Sequence, residues 1–315
     1  MKKILAIAAI LAPLAVLVAV FLLPQAKKSE GAIIDYTLVV EAKQIEYATG
    51  KFYTAWTYNG NVPGPFIRAK IGDTIRITLV NKHTLAHSIH VHGFEYDQKD
   101  DGAQFSRGSI VAPGKSYTYT YKATRSGFYP YHCHSDDRYP VSVHIQQGLQ
   151  GGILIEDPAN PLPAADKEYM ILLNEVYDKP AQSVGHFCSY CAMNSKFFSL
   201  NHRQYPLPQG YNVNTGVIEH PTVQQGKRIR YYVLNLGNDL HTFHLHGHPL
   251  YKRNPANLGE TPKLMDTDNV GFLVAEGAIL EATALAPGEW MFHCHMDVHA
   301  DLGMVGKMIV TPAVQ

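Results

Sequence analysis

The sequence contains the same spaced set of histidines twice, and that duplication restricts the fold more than any other feature. His87-Ser-Ile-His90-Val-His92-Gly93 in the first half returns as His241-Thr-Phe-His244-Leu-His246-Gly247 in the second. His132-Cys133-His134 returns as His293-Cys294-His295, and Gly148-Leu149-Gln150-Gly151 as Gly303-Met304-Val305-Gly306. Gly72 and Gly127, which precede the two clusters, have counterparts in Gly226 and Gly288. A period of about 155 residues is too long for a solenoid unit and is that of a duplicated domain. The stretch Asp157-Pro158-Ala159-Asn160-Pro161-Leu162-Pro163 stiffens the crossing between the copies. The expected organisation is one domain over 32–157, a linker over 158–163 and a second domain over 164–315.

Within each copy the pattern is one of short strands. Residues Thr74 to Leu79 alternate polar and apolar side chains, as a half-buried strand does; Val80 extends the run and Asn81-Lys82 ends it. Ser116 to Lys122 alternates in the same way. Gly72-Asp73, Pro113-Gly114 and Pro287-Gly288 are turn punctuation. No long amphipathic helical pattern follows residue 30, so the expected class is all-β, built as sandwiches.

The histidines then acquire a chemical reading. Residues two apart on a strand point to the same face. The two histidines of each His-Cys-His therefore share one face, and the cysteine serves a separate site behind it. A thiolate with two imidazoles and a weak axial methionine is a blue-copper ligand set. Histidine makes up 17 of the 315 residues, and twelve of them lie in these clusters once His144 and His299, downstream of the two cysteines, are included. A lone strand histidine is usually an ordinary core or surface residue, but matched clusters around two cysteines have no such account. Closed zinc sites take four ligands, fewer than these clusters offer. The pattern reads as a wired site, with one-electron input on one side of the strand and a multi-metal acceptor on the other.

On these residues the chain resembles the two-domain multicopper oxidases, the group that includes small laccases, over nearly everything after the N-terminal segment. The resemblance implies two cupredoxin-like Greek-key β-sandwich domains with copper as the cofactor. It implies His241, Cys294, His299 and Met304 as a type 1 copper site in the second domain, and His87, Cys133 and His144 as another in the first. His90 and His244 match the type 2 copper ligands. His92, His132 and His295 match one type 3 copper, and His134, His246 and His293 the other. A homotrimer is implied as well, its trinuclear cluster lying between the first domain of one subunit and the second domain of the next.

The chain departs from the commonest small laccases by keeping type 1 ligands in both domains. Leu149 stands where the second domain has Met304. Leucine does not ligate, so the first-domain copper is expected to be three-coordinate and to have the higher reduction potential. The loop from Ser135 to Val143 is longer than its counterpart after Cys294 and carries Asp136, Asp137 and Arg138, as a solvated loop or a docking surface. Dioxygen reduction consumes protons, and carboxylates near the cluster are natural relays. Asp101 lies at a spacing from His92 that resembles the aspartate beside the type 2 copper of small laccases; the alternative is an Asp-Gly turn. Tyr96 resembles a tyrosine near that cluster, against an ordinary packed tyrosine. Asp266 and Asp268 are the candidates in the second domain.

The expected function is a multicopper oxidase. It would couple one-electron oxidation of a phenolic, metal-ion, small nitrogen-compound or redox-protein donor to four-electron reduction of dioxygen to water. Only eight methionines and no methionine-rich insert argue against a dedicated Cu(I) oxidase. Two alternatives stay open. Copper nitrite reductases are also two-domain cupredoxin trimers, but that family holds a single interface copper and lacks the second histidine of the His132-Cys133-His134 unit. A non-catalytic copper electron carrier needs type 1 ligands only.

Other segments complete the reading. Met1-Lys2-Lys3 precedes a charge-free run from Ile4 to Leu23, long enough at about 1.5 Å per residue to span a bilayer. It is expected to be an uncleaved membrane anchor or a removed signal within residues 1–30, and both place the rest outside the cytoplasm. Cys188-Ser-Tyr-Cys191, with His186 and Met193, stands apart as a short-loop disulfide, a soft-metal site or free thiols. Lys+Arg and Asp+Glu are both 27, which removes the electrostatic case for nucleic-acid binding. His83, His202, His220 and His248 are expected to be non-ligands.

Overall fold

Alternation builds the first sheet. In Thr74–Asn81 the residues Ile75, Ile77 and Leu79 are fully buried while Arg76 faces water. The computed structural model describes residues 31–176, 197–265 and 267–314. The run from Ile4 to Leu23, the Cys188–Cys191 pair with His186 and Met193, and Asp266 lie outside the described residues. Among the described residues no helix is long and apolar enough to cross a membrane.

The first half pairs two sheets. One runs in the order Lys51–Tyr58, Ile33–Ala48, Thr74–Asn81, Ser116–Lys122; the other in the order Ile67–Lys70, Gln150–Glu156, Gly127–His132, His90–Val91. Both strands expected from alternation are present, and they are antiparallel neighbours, with Ile77 opposite Tyr119.

The second half repeats this plan and adds further strands to both sheets. Lys167–Val176 lies parallel to Arg228–Asn235, which lies antiparallel to Gly277–Thr283. Ile33–Ala48, Thr74–Asn81 and Ser116–Lys122 are related in the same way. In the facing sheets, Thr222–Gln224 runs parallel to Val305–Thr311, followed by Gly288–His293 and His241–Leu245. The fold is all-β, two sandwiches of one plan, with only short helices such as Val141–Gln146 and Asp297–Asp301.

Each half has its own apolar core, and each core ends on a thiol. Tyr58, Ile77, Tyr119, Tyr121 and Tyr131 pack towards Cys133 and Leu149. Tyr231, Phe243 and Phe292 pack towards Cys294 and Met304. A third cluster joins the halves, with Phe128 and Leu154 against Met170, Leu172, Tyr232 and Leu234. At that seam Glu168 pairs with Arg68 and Arg230, and Glu281 with Arg230 and Arg253, so the buried guanidinium of Arg230 is compensated on two sides.

Candidate metal centres

Strand geometry separates the thiols from their flanking histidines as the spacing requires. His132 pairs with His90 across the first-half sheet, and His293 with His244 at the equivalent place in the second. Each cysteine points the other way, into the core, and both are free thiols. The short helices after the cysteines turn His144 and His299 back towards the sulfur.

The first-half sulfur site consists of His87, Cys133 and His144, all fully buried. Cys133 Sγ lies 3.7 Å from His87 Nδ1 and 3.5 Å from His144 Nδ1, and the two nitrogens are 3.2 Å apart. In the second half, Cys294 Sγ lies 3.9 Å from His241 Nδ1 and 3.7 Å from His299 Nδ1, with the nitrogens 3.1 Å apart. The amides of Ser88 and Thr242 donate to the respective sulfurs at 3.4 and 3.3 Å. Cys133 N–H donates to the carbonyl of Leu149, and Cys294 N–H to that of Met304. Leu149 and Met304 therefore hold equivalent places against the two cysteines.

The two sites differ in what faces the outer ring nitrogen. His241 Nε2 meets the buried carboxylate of Glu175 at 2.9 Å. His87 Nε2 meets His83 Nδ1 at 2.8 Å. Burial drives the thiol of Cys133 up to about 11, only partly offset by the Ser135 and Ser88 amides. Burial also raises Cys294, but hydrogen bonds from His241 and His299 outweigh it and bring the thiol down to about 5. His87 is pushed down to about 2 by burial and by its neighbours His144 and His83. His241 is pushed down by burial, yet Cys294 and Glu175 together raise it to about 9. Without copper, the second-half pair is thereby biased towards thiolate and imidazolium, and the first-half pair towards thiol and imidazole. A brief pulse of a small alkylating reagent at pH 7 should therefore label Cys294 about tenfold or more faster than Cys133, since the thiolate is the nucleophile. Peptide mass mapping of copper-free protein checks this, and equal labelling would contradict it.

The histidine faces form two further groups. His90, His92 and His132 converge in the first half, and His244, His246 and His293 in the second. His92 Nε2 lies 3.1 Å from His132 Nε2, and His246 Nε2 3.1 Å from His293 Nε2. The Nδ1–H of His132 donates to the carbonyl of Cys133, and that of His293 to the carbonyl of Cys294. Each Nε2 is thereby left as a lone pair aimed at a second imidazole, an arrangement that a cation resolves. His90 Nδ1–H donates to the Asp101 carbonyl at 2.9 Å, and His244 Nδ1–H to that of Asp268 at 2.8 Å, freeing Nε2 in both. His134 packs edge-on against His90 and at a tilt against His132, and its buried Nδ1 has no hydrogen-bond partner among the described residues. His295 holds the equivalent place beside His244 and His293. No ring contact links the first-half group to the second-half group among the described residues of one chain.

Residues 39–160 and again residues 192–314 match multicopper oxidase domains. The chain belongs to the multicopper oxidases. It is a copper-containing oxidoreductase, and buried sulfur–imidazole groups with preset imidazole lone pairs are a donor set suited to copper. A solved multicopper oxidase superposes with a TM-score of 0.73 at 28% identity, covering 89% of each chain. A probable nitrite reductase–hydroxylamine oxidoreductase fusion protein of Kuenenia stuttgartiensis is 29% identical over 285 residues. That match takes in 87% of this chain but only 31% of the fusion protein's length. A copper-containing nitrite reductase of Neisseria meningitidis is 29% identical over 282 residues, 86% of this chain and 68% of the relative.

Asp101 and Asp268, two of the three carboxylates proposed from the sequence, lie beside this multicopper oxidase's histidine faces. Asp101 Oδ1 is 3.2 Å from His90 Nδ1 and accepts a hydrogen bond from the Tyr96 hydroxyl at 3.0 Å. Burial and the Asp101 carboxylate push Tyr96 up to about 12, so it stays protonated. Asp268 holds the matching place beside His244, its Oδ1 at 3.4 Å, but its side chain is more exposed than that of Asp101. The loop after Cys133 borders an open cleft of about 610 Å³ lined by Ala86, Arg107, Ser135, Asp136, Asp137 and Arg138. Its Asp137 carbonyl accepts from His144 Nε2 at 3.2 Å. Sequence reasoning missed Glu175 and His83. The signal for Glu175 was a lone acid in the otherwise uncharged run Met170-Ile-Leu-Leu-Asn-Glu175-Val176. His83 had no signal beyond standing four residues before His87.

Proposed function

We propose that this protein couples one-electron oxidation of a small donor to the reduction of dioxygen to water. The observation that carries the reading is the presence of two equivalent half-clusters of four imidazoles, each backed by its own buried thiol. A single interface copper has no use for His134 and His295 together with the remaining six rings. The two modules, 32–157 and 164–315 joined by 158–163, would then assemble as a homotrimer. In it the first-half face of one subunit meets the second-half face of the next. Residues 4–23 would anchor the chain outside the cytoplasm or be removed as a signal.

His87, Cys133 and His144 would hold one type 1 copper, and His241, Cys294, His299 and Met304 the other. His90 and His244 would share the type 2 ion. His92 and His132 with His295 of a neighbour would hold one type 3 ion, and His246 and His293 with His134 of a neighbour the other. Copper bound there supplies one-electron transfer and the dioxygen-reducing centre. The chain's own residues do the rest. The carbonyls of Cys133, Cys294, Asp101 and Asp268 fix the ring tautomers that present Nε2 inwards. Asp101 accepts a proton from the solvent side and holds it at Oδ2, while the Tyr96 hydroxyl, donating to Oδ1, fixes the carboxyl group. The cleft above the first-half site places a donor against the Asp137 carbonyl, one hydrogen bond from His144.

Oxygen uptake with a panel of phenolic, metal-ion and nitrogen-compound donors tests the reading, with nitrite reduction assayed in parallel. Donor-dependent oxygen consumption without nitric oxide from nitrite is the expected result. Nitric oxide formation without oxygen uptake would select nitrite reduction, the reading favoured by the similarity to the Neisseria enzyme. Neither activity in copper-loaded protein would leave an electron carrier. Asp101→Asn should lower oxygen reduction by about 10- to 100-fold, the usual loss for a partner of a metal-ligating histidine, with thiolate absorption unchanged. Unaltered turnover would remove Asp101 from the proton path.

A further inference from the structure

The two halves share one strand plan, so each residue of one sulfur site can be compared with its register partner in the other. Val40 stands opposite Asn81, and Leu173 opposite Asn235. Two residues further along, Ala42 is the counterpart of Glu175 and pairs with Trp56, as Glu175 pairs with Phe198. Two residues after each asparagine, His83 is the counterpart of Gly237; both amides donate to the asparagine side chain at 2.9 Å. The first half therefore has alanine and histidine where the second has glutamate and glycine. Gly237 is required for this exchange: a Cβ there would lie 2.6 Å from Glu175 Oε2 and 2.8 Å from His241 Nε2.

Glu175 is 1% exposed and fully engaged. It accepts hydrogen bonds from the Asn238 amide at 2.8 Å, the Asp239 amide at 3.2 Å and His241 Nε2 at 2.9 Å. Its fourth partner comes from the other half of the molecule. Gln146 Nε2, on the helix that carries His144, donates to Glu175 Oε2 at 3.3 Å. One buried carboxylate thus touches a ligand of the second-half site and the helix of the first-half ligand.

A negative charge on a ligand histidine in a dry site favours the more positive state of the metal it holds. At the matching ring nitrogen the first-half site has no such charge, since the His83 imidazole stands there instead, and its nearest acids, Asp136 and Asp137, act on His144 from the loop. We propose that Glu175 is a positioning residue that holds the reduction potential of the second-half sulfur site below that of the first-half site, and that Glu175 with Gln146 is the polar link between them. One electron would pass along Gln146–Glu175–His241, oxidising the second-half copper from Cu(I) to Cu(II) and reducing the first-half copper from Cu(II) to Cu(I). No bond to hydrogen breaks at Glu175. The proposal rests on copper occupying both sulfur sites, and it adds to the absence of an axial sulfur at Leu149.

The test is a spectroelectrochemical titration of copper-loaded protein, with each site assigned in Cys133→Ser or Cys294→Ser backgrounds. Glu175→Gln should raise the second-half potential by at least 59 mV, a tenfold change in a one-electron equilibrium, and leave the first-half potential in place. Glu175→Asp, which keeps the charge, should remain near wild type and guards against a folding defect in the glutamine variant. Equal potentials in wild type and Glu175→Gln, with both thiolate bands present, would overturn the potential-setting role. Absence of both bands in wild type would instead overturn the copper assignment itself. Gln146→Leu should leave both potentials alone and slow electron equilibration between the sites about tenfold after rapid one-electron reduction; an unchanged rate would overturn the link.

Discussion

Two inactive variants should restore activity when assembled together. One carries His90→Ala and His92→Ala, which strip the first-half face; the other carries His244→Ala and His246→Ala, which strip the second-half face. Each alone should consume no oxygen, because every interface lacks one half of its ligands. Co-expressed in equal amounts in a cyclic trimer, they leave about a quarter of the interfaces with two intact faces, so about a quarter of wild-type turnover should return. The expectation follows from the geometry of one chain. Its two groups of imidazoles make no ring contact with one another among the described residues, yet each presents lone pairs that a shared ion would satisfy. Restored turnover from separately tagged, co-purified subunits checks it. No restoration in verified mixed trimers would mean that the cluster is not shared between subunits.

The second large effect concerns the thiols. Cys133→Ser and Cys294→Ser should each remove the absorption of one sulfur site and leave the other. The double variant should lose all thiolate-to-copper absorption and fall to the detection limit in donor-driven turnover. Each sulfur is fully buried within 4 Å of two imidazole nitrogens, and each cysteine is bonded through the backbone to a histidine on the opposite face. Serine keeps the shape but not the soft, electron-rich ligand that this chemistry uses. A double variant that retained the absorption would place the chromophore elsewhere and undo the assignment of both sites.

Much of this centre was legible before any coordinates. The spacing in His132-Cys133-His134 already implied two faces, because alternation along a strand is a property of the covalent backbone. The Gly148–Gly151 and Gly303–Gly306 frames already put Leu149 where the second half has Met304, and the carbonyls of the two accept from the cysteine amides in the same way. The alternating runs at Thr74 and Ser116 became adjacent strands of one sheet. The partners of the ligands were harder to see. Asp101 was inferred by resemblance as a carboxylate, and its backbone carbonyl also accepts from His90, a contact no spacing announces. His83 was expected to be a non-ligand, and it stands outside the sulfur group with its Nδ1 against the outer nitrogen of His87.

The sequence by itself determined the ligand types, their division between two faces and the duplication of the whole plan, since each depends on short spacings that the backbone period converts directly into direction. Only the tertiary structure decided which ligand carries a charged neighbour. Glu175 and His241 are 66 residues apart and meet because separate strands pack against each other. The glycine that makes room for that meeting is Gly237. No local period encodes such a contact, because it depends on the space left between elements that are distant along the chain.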